Sequence, residues 1–231
     1  MRSCLMRAIA GVDGVPGGWV VVRLHGRAPR WTVHWAVVPS AAEVVDLTAG
    51  CAAVGVDIPL GLPVDGTPRR CDALCAARLG RARSSVFPAP PREVLLEPTH
   101  EAAVRRAREL TGRGISIQTW NIRRQILSWD AVHPLPDTVV EVHPELALRG
   151  LAPDLGFASK KTARGAGQRI AALARWVDPA RALGDLPGGA RLDDCLDALA
   201  ATWSAARWAD GTADLLGGET GARGRVMRVA V

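Results

Sequence analysis

At 231 residues, nearly half of them apolar, the chain is long enough to bury a sizeable core as one large domain or a domain with an insertion. No stretch approaches the ~20 apolar residues of a membrane span, and MRSCLMRAIAGVDG lacks the apolar centre of a signal peptide, so the expectation is a cytoplasmic protein with no membrane partner. The formal charge of +6 rests on arginine, because Lys160 and Lys161 are the only lysines; this usage suits bidentate phosphate contacts, but for the total the better reading is a GC-rich genome, with particular arginines left open.

The first elements expected are strands at 8–13 (AIAGVD), 19–26 (WVVVRLHG) and 31–38 (WTVHWAVV), separated by the turn-rich segments GVPGG and GRAPR, which makes an antiparallel meander. Ser40, with Glu43 three residues on, opens a helix that runs to Gly50. The nearly all-apolar run at 52–57 (AAVGVD) reads as a central strand buried on both faces. A helix between the third strand and this one implies a crossover, hence a parallel neighbour for the first strand.

From 64 to 137 the pattern turns irregular and helical, with a Pro-rich loop (SSVFPAPPREV) and helices near 99–111 and 116–130. A strand at 137–143 (DTVVEVH) resumes the sheet, and helices follow at 161–177 and 193–209. The expected fold is therefore α/β: a mixed five-stranded sheet flanked by helices, with a helical insertion between the fourth and fifth strands of one domain spanning 1–231. The five cysteines (Cys4, Cys51, Cys71, Cys75, Cys195) have no zinc spacing and read as reduced thiols.

Carboxylates end apolar runs far apart in this sequence: Asp13, Asp57, Glu141, and the group Asp193, Asp194 and Asp197. A charge at the tip of a buried strand is costly unless something positive meets it, so several such tips suggest a metal. Each also has an ordinary alternative. Asp13 precedes the GVPGG turn and could bond its own backbone. Glu141 alternates with Val140 and Val142, as a solvent-facing residue of an edge strand does. His143 and Glu145 could support a site or cap the next helix, where Pro144 suits the first turn. In the last helix Leu192, Leu196, Leu199 and Trp203 form an expected buried stripe, and Asp193 is the best candidate for an N-cap. Asp57, at a strand's carboxyl end before Pro59, and Asp197, in the second helical turn amid small residues, are harder to explain this way.

The segment DCLDALA (194–200) resembles the D-x-x-D-A-L-A of Holliday-junction resolvases of the RNase H-like superfamily. More closely, GVDGVPGGW (11–19), VGVDIPLGLP (54–63), RRCDALCAARLG with SSVFPAPPR (69–92), GISIQTWNI (114–122), EVHPE (141–145) and DDCLDALAA (193–201) together resemble the predicted RNase H-like nucleases of domain of unknown function 429. The resemblance implies an RNase H-like fold with the first and fourth strands side by side. It also implies that Asp13, Asp57, Asp194 and Asp197 bind metal, with Glu141 as a further catalytic carboxylate. The resolvase pattern has a glutamate where Asp57 stands.

Other candidates are Ser116 and Gln118, which could line a cleft, though a serine before a helix is ordinarily its cap. Lys160, Lys161, Arg164 and Arg169 fall on an expected helix and either steady a phosphate or form a solvated charged face. Trp120 and Trp129 read as core rather than as platforms for bases. The expected function is a nuclease: hydrolysis of DNA or RNA with two Mg2+ or Mn2+ ions about 4 Å apart, held by carboxylates. The alternatives are a non-catalytic binding module with the same fold, or a phosphotransferase of the actin and sugar-kinase type, which needs two copies of the fold where this chain has room for one.

Overall fold

The computed structural model describes residues 7–231; Cys4 and the first six residues of the N-terminal segment discussed above lie outside the described residues. In chain order the elements are β1 (Arg7–Val15), β2 (Gly18–Arg27), β3 (Arg30–Val38), α1 (Ala41–Thr48), β4 (Ala53–Val56), α2 (Arg70–Leu79), α3 (Arg92–Leu95), α4 (His100–Thr111), α5 (Ile117–Asn121), α6 (Arg123–Ala131), β5 (Val139–Val142), α7 (Pro144–Leu151), α8 (Ala163–Leu173), α9 (Pro179–Leu183), α10 (Leu192–Ala209), β6 (Leu215–Thr220) and β7 (Val226–Ala230). They fall into two compact units.

The first unit comprises the chain up to Asp57, Leu135–Asp214 and Ala230–Val231. Its strands stand in the order β3-β2-β1-β4-β5. The first three form an antiparallel meander, while β4 runs parallel to both β1 and β5. The first and fourth strands are thus neighbours, which is the RNase H-like arrangement. Strand β1 does not stop at Asp13. It continues to Val15, which pairs with Gly18 across a two-residue turn of Pro16 and Gly17, where Gly17 takes φ 81.

One face of this sheet carries Ile9, Val15, Val20, Val22, Leu24 and Trp31 against α7, α8, α9 and α10. Three indole N–H groups tie the layers together. Trp31 Nε1 donates to the Trp176 carbonyl at 3.0 Å, Trp35 Nε1 to the Ala182 carbonyl at 2.8 Å, and Trp176 Nε1 to Thr202 Oγ1 at 2.9 Å. Trp31 is buried and Trp35 and Trp176 half-buried, each with its one polar atom satisfied. Helix α1 is capped as its sequence requires, with Ser40 Oγ accepting from the Glu43 amide at 3.2 Å.

The second unit comprises Ile58–Pro134 and Leu215–Val229. Arg225 is its hub: the buried guanidinium donates to the carbonyls of Leu60, Trp129 and Asp130 at 3.3, 2.8 and 3.2 Å, and to that of Val132. Trp129 is fully buried and Trp120 nearly so, both as expected for core residues.

Several expectations change. The helix expected over 116–130 is two, α5 and α6, broken at Ile122, whose ψ of 6° is not helical. The helix expected from 161 begins at Ala163 behind the Thr162 cap, so Lys160 and Lys161 precede it. Leu192 is exposed rather than part of a buried stripe, and α10 is buried on nearly all sides from Cys195 to Ala206 because it is sandwiched within its unit. Strands β6 and β7 are additional to the five expected. Gly217 and Gly218 in LLGGET take positive φ, and a paired glycine of this kind reads in sequence as a turn.

Candidate metal centre

The centre begins with a repeated tripeptide. Gly-Val-Asp occurs at 11–13 and at 55–57, and the parallel register pairs Gly11 with Gly55 and Val12 with Val56. The Asp57 amide donates to the Val12 carbonyl at 3.0 Å, which carries the ladder one residue beyond β4. Because side chains alternate along a strand, both glycines and both aspartates lie on one face, the face that meets α10.

The glycines determine how near that helix comes. A Cβ on Gly11 would lie 2.0 Å from the Ala198 carbonyl oxygen, and one on Gly55 would lie 2.6 Å from that of Ala201. Neither position has room for a side chain. Helix α10 therefore rests backbone to backbone on β1 and β4, and Asp197, just before Ala198, reaches the two strand ends. One carboxylate oxygen from each of Asp13, Asp57 and Asp197 lies within 4.8 Å of the others.

Burial sets the electrostatics. Asp13 is 9% exposed and Asp197 5%. Desolvation, then the neighbouring carboxylates Asp57 and Asp197, hold the Asp13 carboxyl well above its ordinary range, while Lys160 pulls the other way. Asp57 is pushed up to about 8 by burial and then by Asp197, with Lys160 opposing and Glu141 adding to the rise. Burial also raises Asp197, against the attraction of Lys160. The Lys160 ammonium lies 2.5 Å from Asp197 Oδ2. Burial disfavours its charge, but Asp197, Asp13 and Asp57 outweigh that and raise it overall.

Three carboxylates converging through hard oxygen atoms are a donor set suited to a divalent cation. Among the described residues the structure does not bring the other two candidate ligands into this group. Glu141 is paired with Val56, so alternation places it on the opposite face of the sheet, buried at 7% exposure rather than facing solvent from an edge. Asp194 turns back on its own helix, its Oδ2 accepting from the Arg191 amide at 3.0 Å. That bond makes Arg191 the N-cap position and Asp193 an ordinary first-turn residue, correcting the expected cap.

The four basic candidates separate as well. Lys161 and Arg164 are exposed. Arg169 is buried and fits neither of its expected surroundings: it donates to Glu145 Oε2 at 2.7 Å and to the carbonyls of Ala158 and Gly165 at 2.9 and 3.0 Å. Glu145 thus answers Arg169 as well as standing in the first turn of α7, with Pro144 ahead of it. Ser116 and Gln118 belong to the second unit, where Ser116 caps α5 by accepting from the Thr119 amide at 3.0 Å. The cysteines Cys51, Cys71, Cys75 and Cys195 are free and buried.

The family described as protein of unknown function, DUF429, matches residues 11–221, which takes in the end of β1 with Asp13, all of β4 and all of α10. The chain belongs to this family. Among solved structures, Thermus thermophilus RuvC in complex with Holliday junction substrate is similar at 15% identity and a TM-score of 0.38, over 89% of this chain and 97% of that one. No curated protein gives a significant match. For this DUF429 protein, two features of the centre were not read from the sequence: the glycine two residues before each strand aspartate, and the engagement of Lys160 with Asp197. The first had a signal in the repeated Gly-Val-Asp. The second had a fainter one, a lysine in a chain that otherwise uses arginine.

Proposed function

We propose that the protein is a divalent-metal-dependent phosphodiesterase acting on nucleic acid, with Asp13, Asp57 and Asp197 as the metal-holding carboxylates. The observation that carries this reading is the convergence of those three side chains, from two parallel strand ends and one helix, within 4.8 Å. Supporting it is the RNase H-like strand order that puts β1 beside β4.

Bound Mg2+ or Mn2+ would supply Lewis-acid activation of a water and of a phosphoryl oxygen. The rest is the work of the chain. Asp13 and Asp57 stand on the floor of the site and Asp197 closes it from α10, so the ion's protein ligands all come from elements locked by the glycine contacts. Carboxylates kept from water carry little reorganisation cost when an ion arrives. Lys161 and Arg164, exposed just before and within the first turn of α8, are the residues this reading assigns to the phosphates of a longer strand. Asp194 and Glu141 are left with supporting parts, one capping the start of α10 and the other adding negative charge behind Asp57.

The test is hydrolysis of fluorescent single-stranded, duplex and branched DNA and RNA with Mg2+, with Mn2+ or with EDTA, by the wild type and by Asp57→Asn. Turnover that needs the ion and disappears in Asp57→Asn is expected. Binding without turnover under every condition would instead favour a non-catalytic module, for which the Lys160–Asp197 ion pair already offers a self-contained account of the buried charge.

A further inference from the structure

We infer that the Lys160 ammonium occupies one cation position of the carboxylate cluster, so that the centre takes up one divalent ion, in competition with the Lys160–Asp197 ion pair, and not two. The inference rests on the reading of Asp13, Asp57 and Asp197 as metal ligands.

The first argument is an inventory of ligands. Two ions side by side must share their carboxylates and fill the rest of their oxygen shells with water or substrate, so each added ion calls for further carboxylates beyond the first set. Among the described residues the cluster holds three. The two candidates that would complete a second site are committed elsewhere, Glu141 by strand register and Asp194 by its bond to the Arg191 amide.

Charge gives the second argument. Three ionised carboxylates and one ammonium leave two negative charges, which a single divalent ion neutralises. A second would leave the site with an excess of positive charge whether or not the Lys160 ammonium stayed beside it.

The third argument is the identity of the residue. All but two of the 29 basic side chains are arginine, yet the one at the cluster is lysine. An ammonium is a compact point charge that fits among three oxygens, whereas a planar guanidinium demands a fork of acceptors. Its stem leads outward, with the side chain 43% exposed, so the head can withdraw to solvent when an ion arrives.

Calorimetric titration with Mn2+, without nucleic acid, tests this on the wild type, Lys160→Gln, Lys160→Arg and Asp57→Asn, each checked for folding by circular dichroism. One Mn2+ per wild-type chain is expected. Lys160→Gln, which removes the competitor, should bind it at least about tenfold more tightly, because a full like charge within reach of a ligand oxygen opposes the ion. Lys160→Arg, which keeps the charge but not the compact fit, should bind Mn2+ more tightly than wild type and less tightly than Lys160→Gln. Two ions per wild-type chain, or unchanged or weaker binding in Lys160→Gln, would overturn the inference while leaving the carboxylate site in place. No uptake by either the wild type or Lys160→Gln would instead overturn the metal reading itself.

Discussion

The backbone of Gly11 lies so close to Ala198 that an added Cβ would stand 2.0 Å from the Ala198 carbonyl oxygen. Strand and helix are thus fixed against each other one residue away from Asp197. Gly11→Ala should push them apart, costing on the order of 1 to 3 kcal/mol or more in urea denaturation and blunting any Mn2+ stabilisation. Gly50→Ala, where nothing lies within 4 Å, is the control. Equal stability of the two variants would contradict the contact.

The raised carboxyls make stability depend on pH in an unusual direction. Asp57 has a folded pKa of about 8 against an ordinary 3.8, so between those values the folded state holds a proton that the unfolded state releases. Stability of the metal-free protein should then be greatest near the lower value and fall as pH rises towards 8. Thermal melts in EDTA from pH 5 to 8 check this, and Asp57→Asn should flatten the slope.

A bound ion offsets the same repulsion. At a hundredfold excess over its dissociation constant, Mn2+ should add about 2.7 kcal/mol, which is roughly 5 to 11 degrees in melting midpoint for a chain of this size. Asp197→Asn should remove most of that shift and lower hydrolysis by about a hundredfold or more. Asp194→Asn, which loses a bond at the helix start, should cost about 1 kcal/mol and keep the shift. The opposite ranking would move the assignment along α10.

Arg169→Met should be destabilising, by about 1 to 3 kcal/mol, because the half-buried Glu145 loses its 2.7 Å bond and keeps only the longer contact with Arg149. The joint change Arg169→Met, Glu145→Leu should recover much of the loss. Chemical denaturation of the two single variants and the double forms the double-mutant cycle, and a double-variant loss equal to the sum of the two single losses would show that the pair is not coupled.

Lys161→Gln with Arg164→Gln should leave stability near wild type, since both side chains are exposed. Nucleic-acid affinity should fall, and the logarithmic salt slope should shrink by roughly 0.7 to 0.9 for each lost phosphate contact. Anisotropy titrations across a salt series decide this, with an unchanged slope returning both residues to the solvated surface.

Much of the first unit was legible because its signals are local. WVVVRLHG and AAVGVD are apolar runs bounded by turns, and Ser40 with Glu43 marks a helix start that the structure keeps. What could not be read depends on partners remote in sequence. Glu141 reads as outward-facing from its own strand, and only its pairing with Val56 reveals a buried position on the far side from Asp57. Asp194 and Asp197 share a motif but differ by almost a full turn of helix, so one serves a backbone amide and the other the strand ends. Lys160 precedes its helix in an irregular segment, where periodicity says nothing about what the side chain meets.

The three converging aspartates come from residues 13, 57 and 197, so the last of them is translated 140 positions after the second. A nascent polypeptide therefore displays two strand-end acids with no third arm until α10 has emerged from the ribosome. Shortened copies that lose this helix lose the third acid together with the buried segment that covers β1 and β4, so the centre and the packing of its unit are completed by the same late element.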